Sequence, residues 1–227
     1  FVPNKTFDHT KIKELRPLTL IPFDAHLMIN EPVKHVHDYI DAGSDIITVH
    51  AEVCDESSFG EICDMLNSNQ VGIGLAINPD TELPQWCYKF VELLDQVIIM
   101  SVVPGKSGQK FIESTHEKIR RIAKDLREHK FEGYIEADGG VNLENIGACF
   151  EDGARAFVGG SAIIGQNDVR MIIKEFRNQV LESRRRLLIK KAHDLGGTEL
   201  VNSWIDLHVV GEKKDKLVQI AKELGFQ

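Results

Sequence analysis

Two stretches carry the clearest chemical promise: Glu136–Ala137–Asp138–Gly139–Gly140–Val141–Asn142 and Phe157–Val158–Gly159–Gly160–Ser161–Ala162–Ile163. Each reads as an apolar strand that breaks at glycines and then enters a helix. Glycines let backbone N–H groups approach an oxygen closely, and a helix N-terminus adds positive partial charge, so two such turns in succession suit a phosphate. Asp138 stands at the C-terminal end of the first strand, one residue ahead of its glycines. A carboxylate beside a phosphate grip points to acid/base work on a phosphorylated small molecule.

The elements that must position these groups follow from periodicity. Strands are expected over Leu18–Ala25, Asp45–His50, Gly72–Ile77, Gln96–Ser101, Tyr134–Asp138 and Ala156–Gly159. Helices are expected over His9–Arg16, Glu31–Ala42, Asp55–Asn67, Thr81–Leu93, Ser114–His129, Asn142–Asp152 and Asn167–Arg184. The strands are nearly continuous in Val and Ile, as parallel strands buried on both faces are. Strict β-α alternation leaves a doubly wound sheet or a closed barrel. Asp24 and His26, His50 and Glu52, Asn78, Ser101 and Asp138 all fall at or just past strand C-terminal ends. Polar groups from almost every strand at one end describe the mouth of a barrel. Such a barrel has eight strands and only six are read here, so two β-α units are missing.

Length and composition agree with one large α/β domain: 227 residues, 42% hydrophobic and 27% charged. The barrel is assigned to residues 1–184. Residues 185–227 are read as a helical C-terminal extension; Arg184–Arg185–Arg186 at the junction opens a basic stretch running to Lys190–Lys191, and two short amphipathic segments follow, Leu200–Leu207 and Lys213–Leu224. The net charge of −8 argues against nucleic acid or an anionic membrane as partner. An anionic substrate must then be held by local backbone donors. No apolar run reaches the roughly 18 residues of a membrane span, and no signal peptide is visible. Cys54, Cys63, Cys87 and Cys149 form no C-x-x-C pair and read as reduced thiols of a cytoplasmic protein.

At this point the motifs resemble the ribulose-phosphate 3-epimerase family. The matching stretches are Phe1–Val2–Pro3–Asn4, Asp24–Ala25–His26–Leu27–Met28, Ile47–Thr48–Val49–His50–Ala51–Glu52, Gly74–Leu75–Ala76–Ile77–Asn78–Pro79, Met100–Ser101–Val102–Val103–Pro104–Gly105, Gly108–Gln109–Lys110–Phe111, Asp138–Gly139–Gly140–Val141 and Gly160–Ser161–Ala162–Ile163. They run in family order from residue 1 to about residue 165. The resemblance implies a (β/α)8 TIM barrel of the ribulose-phosphate-binding type. It implies interconversion of D-ribulose 5-phosphate and D-xylulose 5-phosphate in the pentose phosphate pathway. One carboxylate removes the C3 proton, acidic because it lies α to a ketone, and a second returns a proton from the opposite face. One divalent metal (Zn, Fe, Mn or Co) stabilises the enediolate oxygens as a Lewis acid.

Carried onto this sequence, the resemblance makes Asp138 a catalytic aspartate and a metal ligand, and His26 a metal-ligating histidine that also meets the substrate. Met28 and Met100 would line the enediolate. Gly105, Lys106, Ser107 and Gly108 would form the lid, and Gly139, Gly140, Gly160 and Ser161 would hold the phosphate. Two departures stand beside these assignments. The family's other catalytic aspartate, its second metal-ligating histidine and a substrate-binding serine belong to strands that would precede Phe1. The lid reads Pro104–Gly105–Lys106–Ser107–Gly108–Gln109, where the family has an aromatic and a further glycine. Residues 1–227 alone are accordingly expected to lack net epimerisation and to aggregate or to lean on a partner surface.

Plainer readings compete at several residues. His50 is expected in a hydrogen-bonded structural role, and His35, His37, His116 and His129 on solvated helix faces. Asp24 is expected to orient His26, whose strand face it shares. Arg184–Arg186 is expected at a helix end. Two further functions remain open: another phosphate-binding barrel such as a hexulose-phosphate synthase, and a catalytically silent phosphosugar-binding protein. The chain length of the sugar is not fixed by the sequence, and a homo-oligomer stays open.

Overall fold

The computed structural model describes residues 1–2 and 7–194. The segments Leu200–Leu207 and Lys213–Leu224, and Pro3–Asn4 of the first motif, lie outside the described residues. Six parallel strands pair strictly in chain order: β1 (Asp24–Leu27), β2 (Ile46–His50), β3 (Gly72–Ile77), β4 (Gln96–Met100), β5 (Tyr134–Asp138) and β6 (Ala156–Val158). The sheet curls into a half-barrel, consistent with a truncated (β/α)8 barrel. Helices α1 (His9–Leu15), α2 (Val36–Asp41), α3 (Glu56–Ser68), α4 (Thr115–Glu128), α5 (Ile146–Asp152) and α6 (Val169–Asp194) occupy the intervals. Among the described residues no helix is long and apolar enough to cross a membrane.

Local signals start α1 and α3 close to where the sequence places them. Asp8 accepts from the N–H groups of Thr10 and Lys11 ahead of α1. Asp55 and Ser58 form a reciprocal capping box at the head of α3. Five element expectations need correction. Glu31–Ala42 is not one helix: Glu31 sits at φ +52°, Pro32–Lys34 is a 3-10 turn, and α2 begins at Val36. Thr81–Leu93 is not a helix but a loop with a short 3-10 turn, Gln85–Lys89. Pro84 has no N–H to give, and it pushes Leu83 out of the helical region. The first strand begins at Asp24 rather than Leu18, because Arg16–Pro17–Leu18 turns as a 3-10 helix and Pro22 precedes the strand. In the stretch between, Arg16 donates to the carbonyls of Thr19, Ile21 and Gly43, pairs with Asp45 and lies over the Phe23 ring. After Gly140 the chain makes a turn in which Asn142 accepts from the N–H groups of Glu144 and Asn145, so α5 starts only at Ile146. Helix α6 runs unbroken past Arg184, and Arg184–Arg186 are therefore interior to it, with Arg185 paired to Glu182 and Arg186 to Glu151.

Two apolar clusters lie on opposite faces of the sheet. The larger, between strands and helices, takes the odd-numbered positions such as Ile47, Val49, Ile73, Leu75, Ile77, Val97 and Ile99. The smaller fills part of the barrel interior with Ala76, Ile98, Met100 and Val102, against which Met28 packs. The rest of the interior is polar. Gln96 donates to Asp24 (2.5 Å) and Thr48 (2.6 Å), and Thr48 donates to Asp24 (3.2 Å). Glu136 shares this space. Burial, then the negative charges of Asp24 and Asp138, push its carboxyl up to about 8. Burial likewise raises the four thiols to about 12, which agrees with free, inert cysteines.

A buried lysine ties the helical layer to the mouth. Lys118 of α4 donates to the carbonyls of Asn78 (2.5 Å), Pro79 (3.2 Å) and Thr81 (2.5 Å), filling all three ammonium hydrogens. Nearby, His116 departs from the solvated expectation: it is half-buried, bonded to Asp152 (2.5 Å) and set against the Phe111 ring. His129 stacks on Tyr88 and is exposed as expected, as are His35 and His37.

Lys118→Met should leave three part-buried carbonyls without their shared donor and cost about 1–3 kcal/mol in urea unfolding. Glu136 gives a pH signature. Its folded pKa of about 8 lies above the ordinary 4.5, so across that window the unfolded chain releases a proton that the folded chain keeps, and stability falls as pH rises. Glu136→Gln should remove this fall, gaining about 2 kcal/mol or more over wild type at pH 8 and almost nothing at pH 4.

Candidate active site

The mouth is built where β1, β2, β4 and β5 end. Strand pairing sets Met100 beside Asp138, and His26 one strand over from His50, all on inward-facing positions. His26 Nδ1 lies 3.3 Å from Asp138 Oδ2, and His26 Nε2 lies 2.9 Å from His50 Nε2. The two imidazole planes are 13° apart with centroids separated by 4.9 Å, so the rings meet edge to edge through their nitrogens. His50 is fully buried, covered in part by the Phe1 ring. Burial pushes its pKa below the usual range, against the pull of Glu52. His50 Nδ1 is 3.1 Å from Glu52 Oε2. Burial alone would raise Glu52, but His50, the Asn78 N–H and the Thr81 hydroxyl outweigh it and bring the carboxyl down to about 2. Glu52 is therefore an anion.

Asp24 does not orient His26. Its carboxylate is engaged by Thr48 and Gln96, two residues back along β1 and one layer deeper, while His26 turns to His50 and Asp138. Met28 and Met100 come together as the apolar wall beside this cluster. In the segment after β4, which forms an arch closed on itself by Gln109, Lys106, Ser107 and Gly108 are exposed. Gln109 staples it by donating to the carbonyls of Val103 (2.6 Å) and Lys106 (2.8 Å). Ser101 anchors its stem, donating to the Gly139 carbonyl (2.6 Å) while its own carbonyl accepts from the Ile112 N–H.

The glycines divide into two kinds. Gly139 and Gly140 have φ of +116° and +65°, and a Cβ on either would overlap Val102 or the Phe111 backbone. Packing of the arch stem therefore demands glycine there. A Cβ on Gly160 would meet nothing within 4 Å. The protein places no demand on that residue, and Gly160–Ile164 forms a single π-helical turn beside open space, with α6 starting only at Val169.

Among the described residues no three His, Cys, Asp or Glu side chains form a metal-holding group. His26 and Asp138 nevertheless face one another as an imidazole nitrogen and a carboxylate oxygen, a two-donor set that fits a borderline divalent cation. The interior residues Gln96, Thr48 and Glu136 are not foreseen as a group from sequence. Their signal was parity: a polar residue on the same face as Met100 in an otherwise apolar strand.

Residues 1–164 match the sequence model of the Ribulose-phosphate 3 epimerase family. The chloroplastic ribulose-5-phosphate-3-epimerase of Arabidopsis thaliana is 41% identical over 77% of this chain, which spans 62% of that relative's length. The ribulose-phosphate 3-epimerase of Bacillus subtilis is 39% identical, over 78% of this chain and 81% of its own. The Escherichia coli enzyme of the same name is 36% identical over 79% of each. Among solved structures, a 3-keto-L-gulonate-6-phosphate decarboxylase from Vibrio cholerae superposes with a TM-score of 0.58 at 17% identity, over 77% of this chain and 79% of its own. A 3-hexulose-6-phosphate synthase gives 0.55 at 18%, over 75% and 80%. At such identities these two speak for the barrel architecture alone. With the family match covering most of the chain and running through His26, Met100, Asp138 and Gly160, the chain belongs to the ribulose-phosphate 3-epimerase family.

Proposed function

We propose that this chain carries the C3 acid/base site of an epimerase that interconverts D-ribulose 5-phosphate and D-xylulose 5-phosphate. The observation that carries the reading is the approach of His26 Nδ1 to Asp138 Oδ2, 3.3 Å, beside the Met28–Met100 wall, in a chain 36–41% identical to named epimerases. Asp138 is the proton carrier on one face of the sugar. His26 and Asp138 hold a divalent cation that, when bound, lowers the cost of negative charge on the substrate oxygens. Met28 and Met100 exclude water from the reacting carbon. The segment Gly105 to Gly108, exposed from Lys106 onward, closes over the substrate, and Ser101 and Gln109 limit how far it can move. Gly160 and Ser161 receive the phosphate, with Gly139 and Gly140 shaping the neighbouring turn. The hexulose-phosphate synthase reading rests on fold likeness at 17–18% identity and is the weaker one.

Asp138→Asn in the full-length protein should cut exchange of the substrate's C3 proton with deuterated solvent by about 10²–10⁴-fold. Its thermal midpoint should stay close to wild type, since the amide is nearly isosteric. Retained exchange would remove Asp138 from the role, and binding of the sugar phosphate without exchange in the wild type would favour a silent binding protein. Gly160→Val should leave stability nearly unchanged, because the site is open. It should raise KM for the phosphorylated ketose about tenfold or more, the size of one lost hydrogen bond to a charged group. A fall in stability with KM unmoved would make Gly160 a purely structural residue.

A further inference from the structure

We propose that Glu52 is a positioning residue that, acting through His50, fixes which nitrogen of His26 carries its proton and so presents a lone pair to Asp138. The inference rests on the reading that His26 and Asp138 hold a cation. It goes beyond that reading by naming the groups that prepare one ligand from a distance.

The hydrogens are fixed one after another along a single line of contacts. Glu52 Oε1 accepts from the Asn78 N–H at 2.6 Å, and Oε2 faces His50 Nδ1 at 3.1 Å. A carboxylate can only accept, so His50 Nδ1 must bear the hydrogen. His50 is fully buried, where a neutral ring is favoured, and its Nε2 then has a lone pair. That lone pair faces His26 Nε2 at 2.9 Å, and two nitrogens at this distance need one proton between them. His26 Nε2 must supply it. A neutral His26 is left with its Nδ1 lone pair, 3.3 Å from Asp138 Oδ2. Two electron-rich atoms directed at one another are unfavourable alone and favourable around a shared cation. The charge that begins this chain is anchored at its far end: Asn78, whose N–H holds Glu52, is itself held through its carbonyl by Lys118. Outer partners of this kind set the tautomer of a ligating histidine.

The amide in Glu52→Gln would test each link. Its oxygen can still accept from Asn78, which leaves N–H groups facing His50 Nδ1 and requires that nitrogen to accept. His50 would then carry its hydrogen on Nε2, and His26 Nδ1 would lose its lone pair. In the metal-free full-length protein, long-range ¹H–¹⁵N spectra separate protonated from unprotonated ring nitrogens. Wild type should show His50 protonated at Nδ1 and His26 at Nε2; Glu52→Gln should show His50 reversed. Zn²⁺ affinity of the variant should fall about 10–100-fold, and Glu52→Asp, which keeps the charge, should recover part of it. His50 protonated at Nε2, or at both nitrogens, in the wild type overturns the proposal even if the variant fails to fold. So does a folded Glu52→Gln with unchanged tautomers and unchanged affinity. Expected tautomers with no Zn²⁺ binding by the wild type would instead overturn the cation reading and leave the tautomer assignment standing.

Discussion

Two imidazole nitrogens, from His26 and His50, meet at 2.9 Å, and much of the mouth depends on that contact. It joins the ends of β1 and β2 where the backbone ladder stops, and it decides what His26 can offer to Asp138. The contact exists because the strands are parallel and in register, so that side chains with a period of two share one inward face. A slip by one residue would send both rings into the helical layer. The outer cluster prevents the slip, since Ile47 and Val49 would then point into a polar interior.

The barrel interior is divided by chemistry rather than filled uniformly. Its apolar part, Ala76, Ile98, Met100 and Val102, lies beside a hydrogen-bonded part made by Asp24, Thr48 and Gln96. Apolar neighbours strengthen electrostatic effects at the boundary, and Glu136 registers this by holding its proton far above the ordinary carboxyl range. Nearby Glu52 is driven the other way, because it is surrounded by donors. Two glutamates within one mouth thus rest in opposite charge states at neutral pH.

Much of this was legible in the sequence. Gly72–Ile77 and Tyr134–Asp138 could be read to the residue because Asn78–Pro79 stops the first and Gly139–Gly140 stops the second. The strand-end polar groups His26, His50, Glu52, Ser101 and Asp138 were visible as candidates for the same reason. Their pairing was not, since it depends on register between strands far apart in the chain. Thr81–Leu93 misled because its apolar spacing is helical while Pro84 forbids the bonds. Asp24 misled in a subtler way. Sharing a face with His26 gave the right direction, but only the structure shows that Gln96, 72 residues away, claims its carboxylate.

The strand order bears on how the molecule is made. Among the described residues each of β2 to β5 pairs with the strand before it and the strand after it, and no strand is inserted between earlier neighbours. During synthesis, then, each strand from β2 onward finds its template already in place as it leaves the ribosome, and the sheet grows at one edge as the chain lengthens. Loop closure at each step spans a single β-α unit, which keeps its entropy cost low. A growing edge of this kind is also exposed until the next unit covers it. The Val- and Ile-rich strands that make the sheet stable therefore make its partly built form adhesive, and rapid delivery of each following helix is what shields it.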